Sequence, residues 1–328
     1  MSQKKSTVFI TGGAGFIGSH LTERLIEKGY IIKIFDNLHR NSIKYTDIAK
    51  NNSVKFVQGS VLDAALLKKE MKGADIVLHL AAIAGVSNYH NFPALTLKTN
   101  LIGTYNLLEG IVENKIKRMV DLSTSEIFGS EVIGVNEESF FNIGPPQDKR
   151  WSYAASKIGG EQLTHRYAEE HKFEATIIRP FNIYGPRQTG EGAISNFCKN
   201  ILAKKKIKLE GDGSGIRSWC YVDDFVDALL KIIEKPHKSI EAYNVGNPWT
   251  SVSNYALAEI TIRAAKKNKV VVPNSFIEFV PMKYTDIKVR YPDISKIKKS
   301  YNWSPKIQLE EGMERTFKWF LENYEEKN

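Results

Sequence analysis

Two side chains with acid–base chemistry stand four residues apart in the middle of the sequence. Tyr153 and Lys157 belong to the run Tyr-Ala-Ala-Ser-Lys, and on a helix this spacing places them one above the other on the same face. A free tyrosine has a pKa of about 10, so its phenol is a poor base at neutral pH. Because a nearby ammonium favours the phenolate, we expect Lys157 to lower the pKa of Tyr153 and make it a base. A buried aromatic residue beside a solvated lysine is the alternative interpretation.

A predicted strand upstream of this pair ends in Leu122, Ser123 and Thr124. Side chains at the end of a parallel strand reach the carboxyl edge of the sheet, where ligands of open α/β sheets bind. The two hydroxyls can therefore hydrogen-bond a sugar oxygen that Tyr153 deprotonates. This second group favours the catalytic interpretation of the tyrosine and lysine.

The stretch from Thr7 to Gly18 predicts a dinucleotide site. A short apolar strand runs into a turn with a glycine at every third position (Gly12, Gly15 and Gly18), and an amphipathic helix follows. That order leaves backbone N–H groups facing a pyrophosphate. The next strand ends in Asp36, where a carboxylate can hold a ribose hydroxyl and would repel a 2′-phosphate. We therefore expect a dinucleotide, with NAD favoured by Asp36 and NADP left as the alternative by Arg40 near the second strand.

Strands alternate with helices along the first half of the chain, a pattern that predicts an α/β fold with a doubly wound parallel Rossmann sheet. Residues 75–82 are almost continuously apolar, as expected for a central strand buried on both faces. Beyond Pro180 the glycine and proline content rises. We predict an NAD-binding domain over residues 1–180, with a returning strand near 241–247, and a smaller C-terminal α/β unit over 181–328 that mostly binds substrate.

The composition is that of an ordinary globular enzyme, with 42% hydrophobic and 25% charged residues and a net charge of +9. The lysines form short clusters at the ends of helical patterns, where they complement the helix dipole. We therefore expect an anionic substrate such as a nucleotide diphosphate and no nucleic-acid partner. No signal peptide or membrane span is expected, and Cys198 and Cys220 have neither disulfide-framework nor metal-ligand spacing. We expect a cytoplasmic protein, and we expect no metal site.

Four motifs together resemble the extended short-chain dehydrogenase/reductase family, and within it the nucleotide-sugar epimerases, dehydratases and decarboxylases. They are the glycine turn, Ser123-Thr124, Tyr153 with Lys157, and the run from Arg179 to Arg187. The likeness continues through residues 217–224 and 293–296 to 303–305, and so covers nearly the whole chain. It implies a UDP-sugar substrate and a homodimer formed through helices near 94–114 and 157–170.

The resemblance also implies which residues hold NAD, a tightly bound cofactor that is regenerated in each turnover. The family's cofactor positions correspond to Gly12, Gly15, Phe16, Ile17, Gly18, Asp36, Asn37, Ser60, Val61, Leu80, Ala81, Ala82, Asn100, Ser123, Tyr153, Lys157 and Pro180. In this arrangement Lys157 holds the nicotinamide ribose. Ser60 is a departure, because the family usually has an aspartate there, near the adenine.

For the substrate, the resemblance makes Tyr153 the base for the 4-hydroxyl and Thr124 the partner of the same oxygen. Arg217 and Arg290 are expected to pair with the diphosphate, to which a guanidinium fork is well matched. The expected substrate positions are Ala84, Gly85, Val86, Thr124, Ser125, Glu126, Asn182, Arg187, Ala193, Ile194, Lys208, Leu209, Arg217 and Arg290.

The residues after Thr124 bear on which reaction the family resemblance implies. All members of the group oxidise C4 of the sugar, and the resulting ketone acidifies the C5 proton. A carboxylate in a closed site costs desolvation, so Glu126 favours proton abstraction at C5 and a UDP-sugar 4,6-dehydratase, with UDP-GlcNAc as the preferred substrate. Ser125 stands where most dehydratases have an aspartate, which leaves proton transfer to the leaving hydroxyl to Glu126 or a water.

Two other reactions remain open. Ser125-Glu126 and the run Arg150-Trp-Ser-Tyr also resemble UDP-glucuronic acid decarboxylases, whose substrate carboxylate would need a cation such as Lys149, Arg150 or Arg187. A UDP-sugar 4-epimerase is the third possibility. A catalytically silent NAD-binding protein is disfavoured, because such relatives generally lose the tyrosine or the lysine.

Overall fold

Short runs of branched apolar residues form the strands of this chain, and amphipathic segments between them form the helices. The computed structural model describes residues 6–237, 239–282 and 286–323. Residues 1–5, 238, 283–285 and 324–328, which belong to the two predicted domains, lie outside this description. The strands are β1 Thr7–Thr11, β2 Ile31–Asp36, β3 Val54–Gln58, β4 Ile76–His79, β5 Arg118–Leu122, β6 Glu131–Val135, β7 Glu174–Pro180, β8 Ile183–Tyr184, β9 Ile207–Glu210, β10 Ile216–Ser218, β11 Cys220–Tyr221, β12 Ile240–Val245, β13 Ser251–Ser253, β14 Ile277–Val280 and β15 Val289–Pro292.

The helices lie between these strands and after them. They are α1 Phe16–Glu27, α2 Ala64–Met71, α3 Val86–Asn91, α4 Pro93–Glu113, α5 Ser152–His171, α6 Ala193–Leu202, α7 Val222–Glu234, α8 Asn254–Lys267, α9 Ser295–Tyr301 and α10 Leu309–Asn323. Within the described ranges, none of them is both long and apolar enough to cross a membrane.

The main sheet has seven strands in the order β12-β7-β5-β4-β1-β2-β3, and every pair in it is parallel. Side chains alternate between its faces, so Val8 and Ile10 enter one apolar core while Phe9 enters the other. Helices α1 and α7 pack on the first face, and α2, α4 and α5 pack on the second. This is the predicted doubly wound Rossmann sheet, and the prediction of the fold is confirmed.

The strand order reverses between β1 and β4, so the two connections leave the sheet in opposite directions there. Such a reversal opens a crevice beyond the carboxyl ends of the strands. A second sheet has the strand order β13-β10-β15-β6. Its strand β6 follows β5 of the main sheet through a short turn. The residues between β5 and β6 therefore connect the two sheets.

Candidate active site

The glycine turn between β1 and α1 is closely packed against the loop after β4. Gly12 has a φ of +72°, and a Cβ there would lie 2.6 Å from the backbone nitrogen of Ala81. A Cβ on Gly18 would lie 2.5 Å from the carbonyl oxygen of Gly12. Gly15 precedes α1 and has no side chain to cap it, so the first N–H groups of the helix remain available to an anion. The turn therefore fits a pyrophosphate.

Asp36 ends β2 beside this turn and is 8% exposed. Its Oδ2 accepts a hydrogen bond from the backbone N–H of Ala14 at 3.0 Å, and Oδ1 accepts one from that of Leu38 at 2.7 Å. Burial raises the pKa of Asp36, and the two backbone hydrogen bonds oppose that shift. The carboxylate thus braces the turn at the position predicted for ribose recognition.

Other predicted cofactor residues shape the neighbouring loops. Asn100 on α4 holds the loop after β4, since its amide accepts from the N–H of Ile83 and donates to its carbonyl oxygen. Asn37 and Ser60 accept hydrogen bonds from the backbone N–H groups of His39 and Leu62. These three side chains therefore fix loop geometry.

Tyr153 lies in the first turn of α5 and Lys157 one turn later. The Lys157 ammonium is buried and donates to the carbonyl oxygen of Leu122, the last residue of β5, at 2.6 Å. A hydrogen bond with the Thr124 hydroxyl favours the Tyr153 phenolate. The Oγ of Ser123, next to Thr124, is buried without a hydrogen-bond partner in the described part of the chain. Such an orphaned hydroxyl at the sheet edge fits a bound ligand.

The pKa of Tyr153 differs from the sequence expectation. Burial raises it to about 12, and the hydrogen bond with Thr124 offsets only part of this shift. The expectation that the pKa of Tyr153 lies below its usual value is therefore wrong. The physical reason is desolvation of the phenolate, which outweighs the favourable contacts.

Glu126 follows Thr124 and is held by two arginines. Its Oε2 lies 2.6 Å from Nη2 of Arg150, and its Oε1 lies 2.6 Å from Nη1 of Arg290. Arg150 is 5% exposed and also donates to the hydroxyl of Tyr89, whose ring stacks on Tyr153 with centroids 6.1 Å apart. Arg290 is fully buried. One carboxylate therefore lies between two buried guanidinium groups, beside the predicted base.

Arg290 is held by groups within the protein. Its Nε and Nη2 donate to the carbonyl oxygen of Gly129, while Nη1 takes Glu126. Arg217 is its neighbour in register on β10 and donates to Asp286 at 2.8 Å. Both arginines therefore have partners within the protein, and their pairing with a diphosphate stays a prediction.

Arg187 is likewise turned toward α1. Its Nη2 donates to Glu23 at 2.7 Å and its Nε contacts the ring of His20 at 3.2 Å. Its φ of +67° places the backbone in the left-handed region. The side chain therefore ties the loop to α1, and the substrate contact expected at Arg187 stays a prediction.

Comparison with known proteins identifies the family. The model of the NAD-dependent epimerase/dehydratase family matches residues 8–246. The chain belongs to the NAD-dependent epimerase/dehydratase family. This confirms the resemblance found in the sequence, and it makes NAD the cofactor for which the glycine turn is built.

Individual members of the NAD-dependent epimerase/dehydratase family are similar over almost the whole chain. UDP-glucuronic acid decarboxylase 1 of Arabidopsis thaliana is 33% identical, covering 96% of this chain and 70% of that protein. UDP-N-acetyl-α-D-glucosaminuronate decarboxylase of Bacillus cytotoxicus is also 33% identical, covering 97% and 98%. Among solved structures, the dTDP-glucose 4,6-dehydratase DesIV of Streptomyces venezuelae superimposes with a TM-score of 0.88 at 28% identity, covering 97% of each chain.

The remaining predicted substrate and cofactor residues lie partly in loops and turns and partly in the apolar cores. Ala84 accepts hydrogen bonds from Arg40 and Asn88 through its carbonyl oxygen, which fixes the loop containing Gly85 and Val86. Ser125 is buried in the turn after Thr124. Val61, Ile194 and Leu209 are buried in the apolar cores, and Lys208 is exposed. Ala193 begins α6, and Asn182 donates to the carbonyl oxygen of Ser218.

Sequence reasoning missed Tyr89 and Asp121. Tyr89 belongs to a short helix without a clear apolar period, and it reaches Arg150 only through the tertiary fold. Asp121 lies inside a strand that otherwise reads as apolar. A charged residue within a central strand was the available signal, because such positions are normally apolar on both faces.

Proposed function

We propose that this chain is an NAD-dependent decarboxylase of a UDP-linked hexuronic acid. This is the alternative that the sequence left open, and it now replaces the 4,6-dehydratase as the preferred reaction. The observation that carries the proposal is the pair of buried guanidinium groups on either side of Glu126. Two positive charges against one negative charge leave the pocket electropositive, and a substrate carboxylate at C6 would complete it.

The electrostatics of Arg150 support an anionic substrate group. Burial, together with the positive charges of Arg290 and Arg217, lowers the pKa of Arg150 to about 9. The ordinary pKa of a guanidinium group exceeds about 12, so this is a large lowering of the pKa. An added carboxylate would relieve this repulsion, whereas a neutral C6 hydroxyl would not. Both curated relatives described above are named for uronic acid substrates.

Each residue has a defined task in such a reaction. Tyr153 removes the proton of the 4-hydroxyl, and Thr124 binds the same oxygen. The glycine turn and Asp36 would hold NAD, which would supply a reversible hydride acceptor for C4. The 4-ketone stands β to the C6 carboxylate, so the electron pair of the C5–C6 bond can pass into a C4–C5 enolate as carbon dioxide leaves. A proton then adds to C5, and the arginines stabilise the negative charge that moves through the site.

Glu126 is poorly suited to act alone as the C5 base of a dehydratase. Both of its oxygens already accept hydrogen bonds from guanidinium groups, so taking the C5 proton would cost one of these bonds. Placed beside a substrate carboxylate, its negative charge would instead repel that group and favour its loss. Ser125 supplies no general acid for a leaving C6 hydroxyl. A dehydratase would therefore need an acid that has not been assigned, whereas a decarboxylase has no leaving hydroxyl to protonate.

Mass spectrometry tests the proposal directly. Purified protein is incubated with UDP-glucuronic acid, its 2-acetamido analogue, UDP-glucose and UDP-GlcNAc, with the Y153F variant as the inactive control. Loss of carbon dioxide from either uronic acid is the expected result. Loss of water from a neutral sugar would make the protein a 4,6-dehydratase, and a chromatographic shift at constant mass would make it a 4-epimerase.

We also propose that the chain forms a homodimer through α4 and α5 and that substrate is bound mainly by residues 181–328. Four apolar side chains on or just before α4 share one face of that helix and are exposed, namely Phe92 (57%), Leu95 (47%), Ile102 (46%) and Tyr105 (42%). Their spacing follows the helical repeat, with the exposed Lys98 between Leu95 and Ile102, and an exposed stripe that is mostly apolar favours association.

A further inference from the structure

A short segment between β8 and α6 is tied to the glycine turn. The first end of this strap, residues 187–191, is bound to the loop after β2, because the Ser42 hydroxyl donates to the carbonyl oxygen of Arg187 at 2.9 Å. The backbone N–H of Ser42 donates in turn to the carbonyl oxygen of Ala14, within the glycine turn, at 2.8 Å. Ser42 is fully buried, so these bonds are shielded from water. The first end of the strap is therefore held close to the glycine turn.

The last residue of the strap contacts a loop on the opposite side of β1. Oε2 of Glu191 accepts a hydrogen bond from the backbone N–H of Ser87 at 3.0 Å, and its Oε1 accepts one from the Ser87 hydroxyl. Ser87 follows β4, whereas Ser42 follows β2, and the sheet order places β1 between these two strands. The strap therefore spans the carboxyl end of β1, where the glycine turn begins.

Arg40 packs against the same joint. Its Nη2 donates to the carbonyl oxygen of Ala84 at 2.8 Å. A Cβ on Gly190 would lie 2.7 Å from Cζ of Arg40, and a Cβ on Gly85 would lie 2.7 Å from Oε2 of Glu191. The two glycines thus let the strap and the loops after β2 and β4 come together at one point.

The strap would cover part of a bound NAD molecule, the cofactor of this family. The glycine turn fits the pyrophosphate, from which the two nucleosides extend on either side. With both ends of the strap fixed, the dinucleotide can leave only after one end has moved. The first end is held by Ser42 and by the ion pair of Arg187 with Glu23 on α1. The second end depends on the half-buried side chains of Glu191 and Ser87, so this joint should open first.

We propose that Glu191 and Ser87 form a latch that retains NAD in the active site. The closed latch holds the strap across the glycine turn and sets the rate at which NAD enters and leaves. Decarboxylase, dehydratase and epimerase all keep NAD through the catalytic cycle. The latch therefore goes beyond the proposed decarboxylation and does not depend on which of the three reactions takes place.

The E191A variant tests the latch through the exchange of NAD. Protein carrying NAD is mixed with an excess of isotope-labelled NAD, and loss of the unlabelled cofactor is followed by mass spectrometry after rapid gel filtration. E191A removes both acceptors of Ser87, so release should become about 10-fold faster or more, as expected for loss of hydrogen bonds to a charged group.

Two further variants serve as the conservative replacement and the matched control. E191Q keeps an oxygen that can accept from the backbone N–H of Ser87, so its release rate should lie between those of the wild type and E191A. E278A makes the alanine substitution at an exposed glutamate of β14, and its release rate should equal that of the wild type.

The double variant S87A/E191A tests whether the two residues act together. S87A removes only the hydroxyl, so its effect on release should be smaller than that of E191A. Because E191A already breaks the whole latch, the double variant should release NAD no faster than E191A alone. S87A also carries the exchange measurement if E191A does not fold.

The rate of NADH binding distinguishes a latch from general damage to the site. Protein freed of bound nucleotide is mixed with NADH in a stopped-flow fluorimeter. Opening a latch speeds both entry and release, so NADH should bind faster to E191A than to the wild type. An unchanged release rate, additive effects of the two substitutions, an equal gain in E278A, or slower binding of NADH to E191A would overturn the proposal.

None of these measurements needs a sugar substrate, so their outcome is separable from that of the proposed function. If no uronic acid is decarboxylated while E191A releases NAD faster, the decarboxylase proposal fails and the latch stands. If a uronic acid is decarboxylated and the release rate of E191A is unchanged, the decarboxylase proposal stands and the latch fails.

Discussion

Glu126 and Arg290 meet where the two sheets join. Oε1 of the glutamate, just after β5, accepts a hydrogen bond from Nη1 of the arginine on β15 at 2.6 Å. The guanidinium is also fixed by the carbonyl oxygen of Gly129. It is therefore preorganised, and the site need not reorganise it when an anionic group binds.

Replacing Arg290 should impair the use of an acidic sugar more than that of a neutral one. In R290Q the pocket loses one of its two positive charges, so we expect kcat/KM for UDP-glucuronic acid to fall on the order of 10²–10³-fold. NADH formation with UDP-glucose should fall much less. Steady-state and single-turnover kinetics measure the two effects, and equal losses for both sugars would contradict an electrostatic effect of Arg290 on the substrate carboxylate.

The hydroxyl of Tyr153 should be required for turnover. We expect Y153F to lower kcat by on the order of 10²–10⁴-fold, because the variant cannot remove the proton from the 4-hydroxyl. Y167F makes the same chemical change further along α5, where the hydroxyl donates to Glu109, and should retain activity. Comparable losses in both variants would point to a general defect of the helix.

The buried pair of Arg179 and Glu161 should contribute strongly to stability. The two side chains are 4% and 2% exposed and share two hydrogen bonds, at 2.8 and 3.1 Å. R179Q leaves the glutamate buried without its cation, and urea unfolding should show a loss of about 3–5 kcal/mol. The control is R166Q, which breaks an exposed pair with Glu169 and should cost less than about 1 kcal/mol.

Structural features that depend on local sequence patterns were predicted correctly. The glycine turn, the strand ending in Asp36 and the spacing of Tyr153 and Lys157 depend on neighbouring residues, and each lies on the element expected for it. The partners of Arg290 and Arg187 could not be predicted, because they are joined by contacts between distant elements. Charge alone could not distinguish a diphosphate ligand from a partner of Glu126. The raised pKa of Tyr153 required knowledge of its burial.

His79 should make the protein sensitive to acid. Burial, followed by the charge of Lys157, lowers its pKa to about 3, below the unfolded value of about 6.5. A histidine with a depressed folded pKa contributes stability above the unfolded pKa and loses it as the pH falls. Below about pH 6 each pH unit should therefore remove up to about 1.4 kcal/mol. Urea unfolding at several pH values should show a shallower acid slope for H79Q, and an unchanged slope would contradict this assignment.

The exposed stripe on α4 should mediate dimerisation. I102E places a negative charge in the stripe one turn from Lys98, and an interface there would have to desolvate both charges, so we expect the dimer to dissociate into monomers. Light scattering coupled to gel filtration measures the mass of each species. The control is I133E on β6, which makes the same substitution at a residue that is 68% exposed and lies outside the stripe. Monomeric wild-type protein, or dissociation by both variants, would show that α4 does not form the interface.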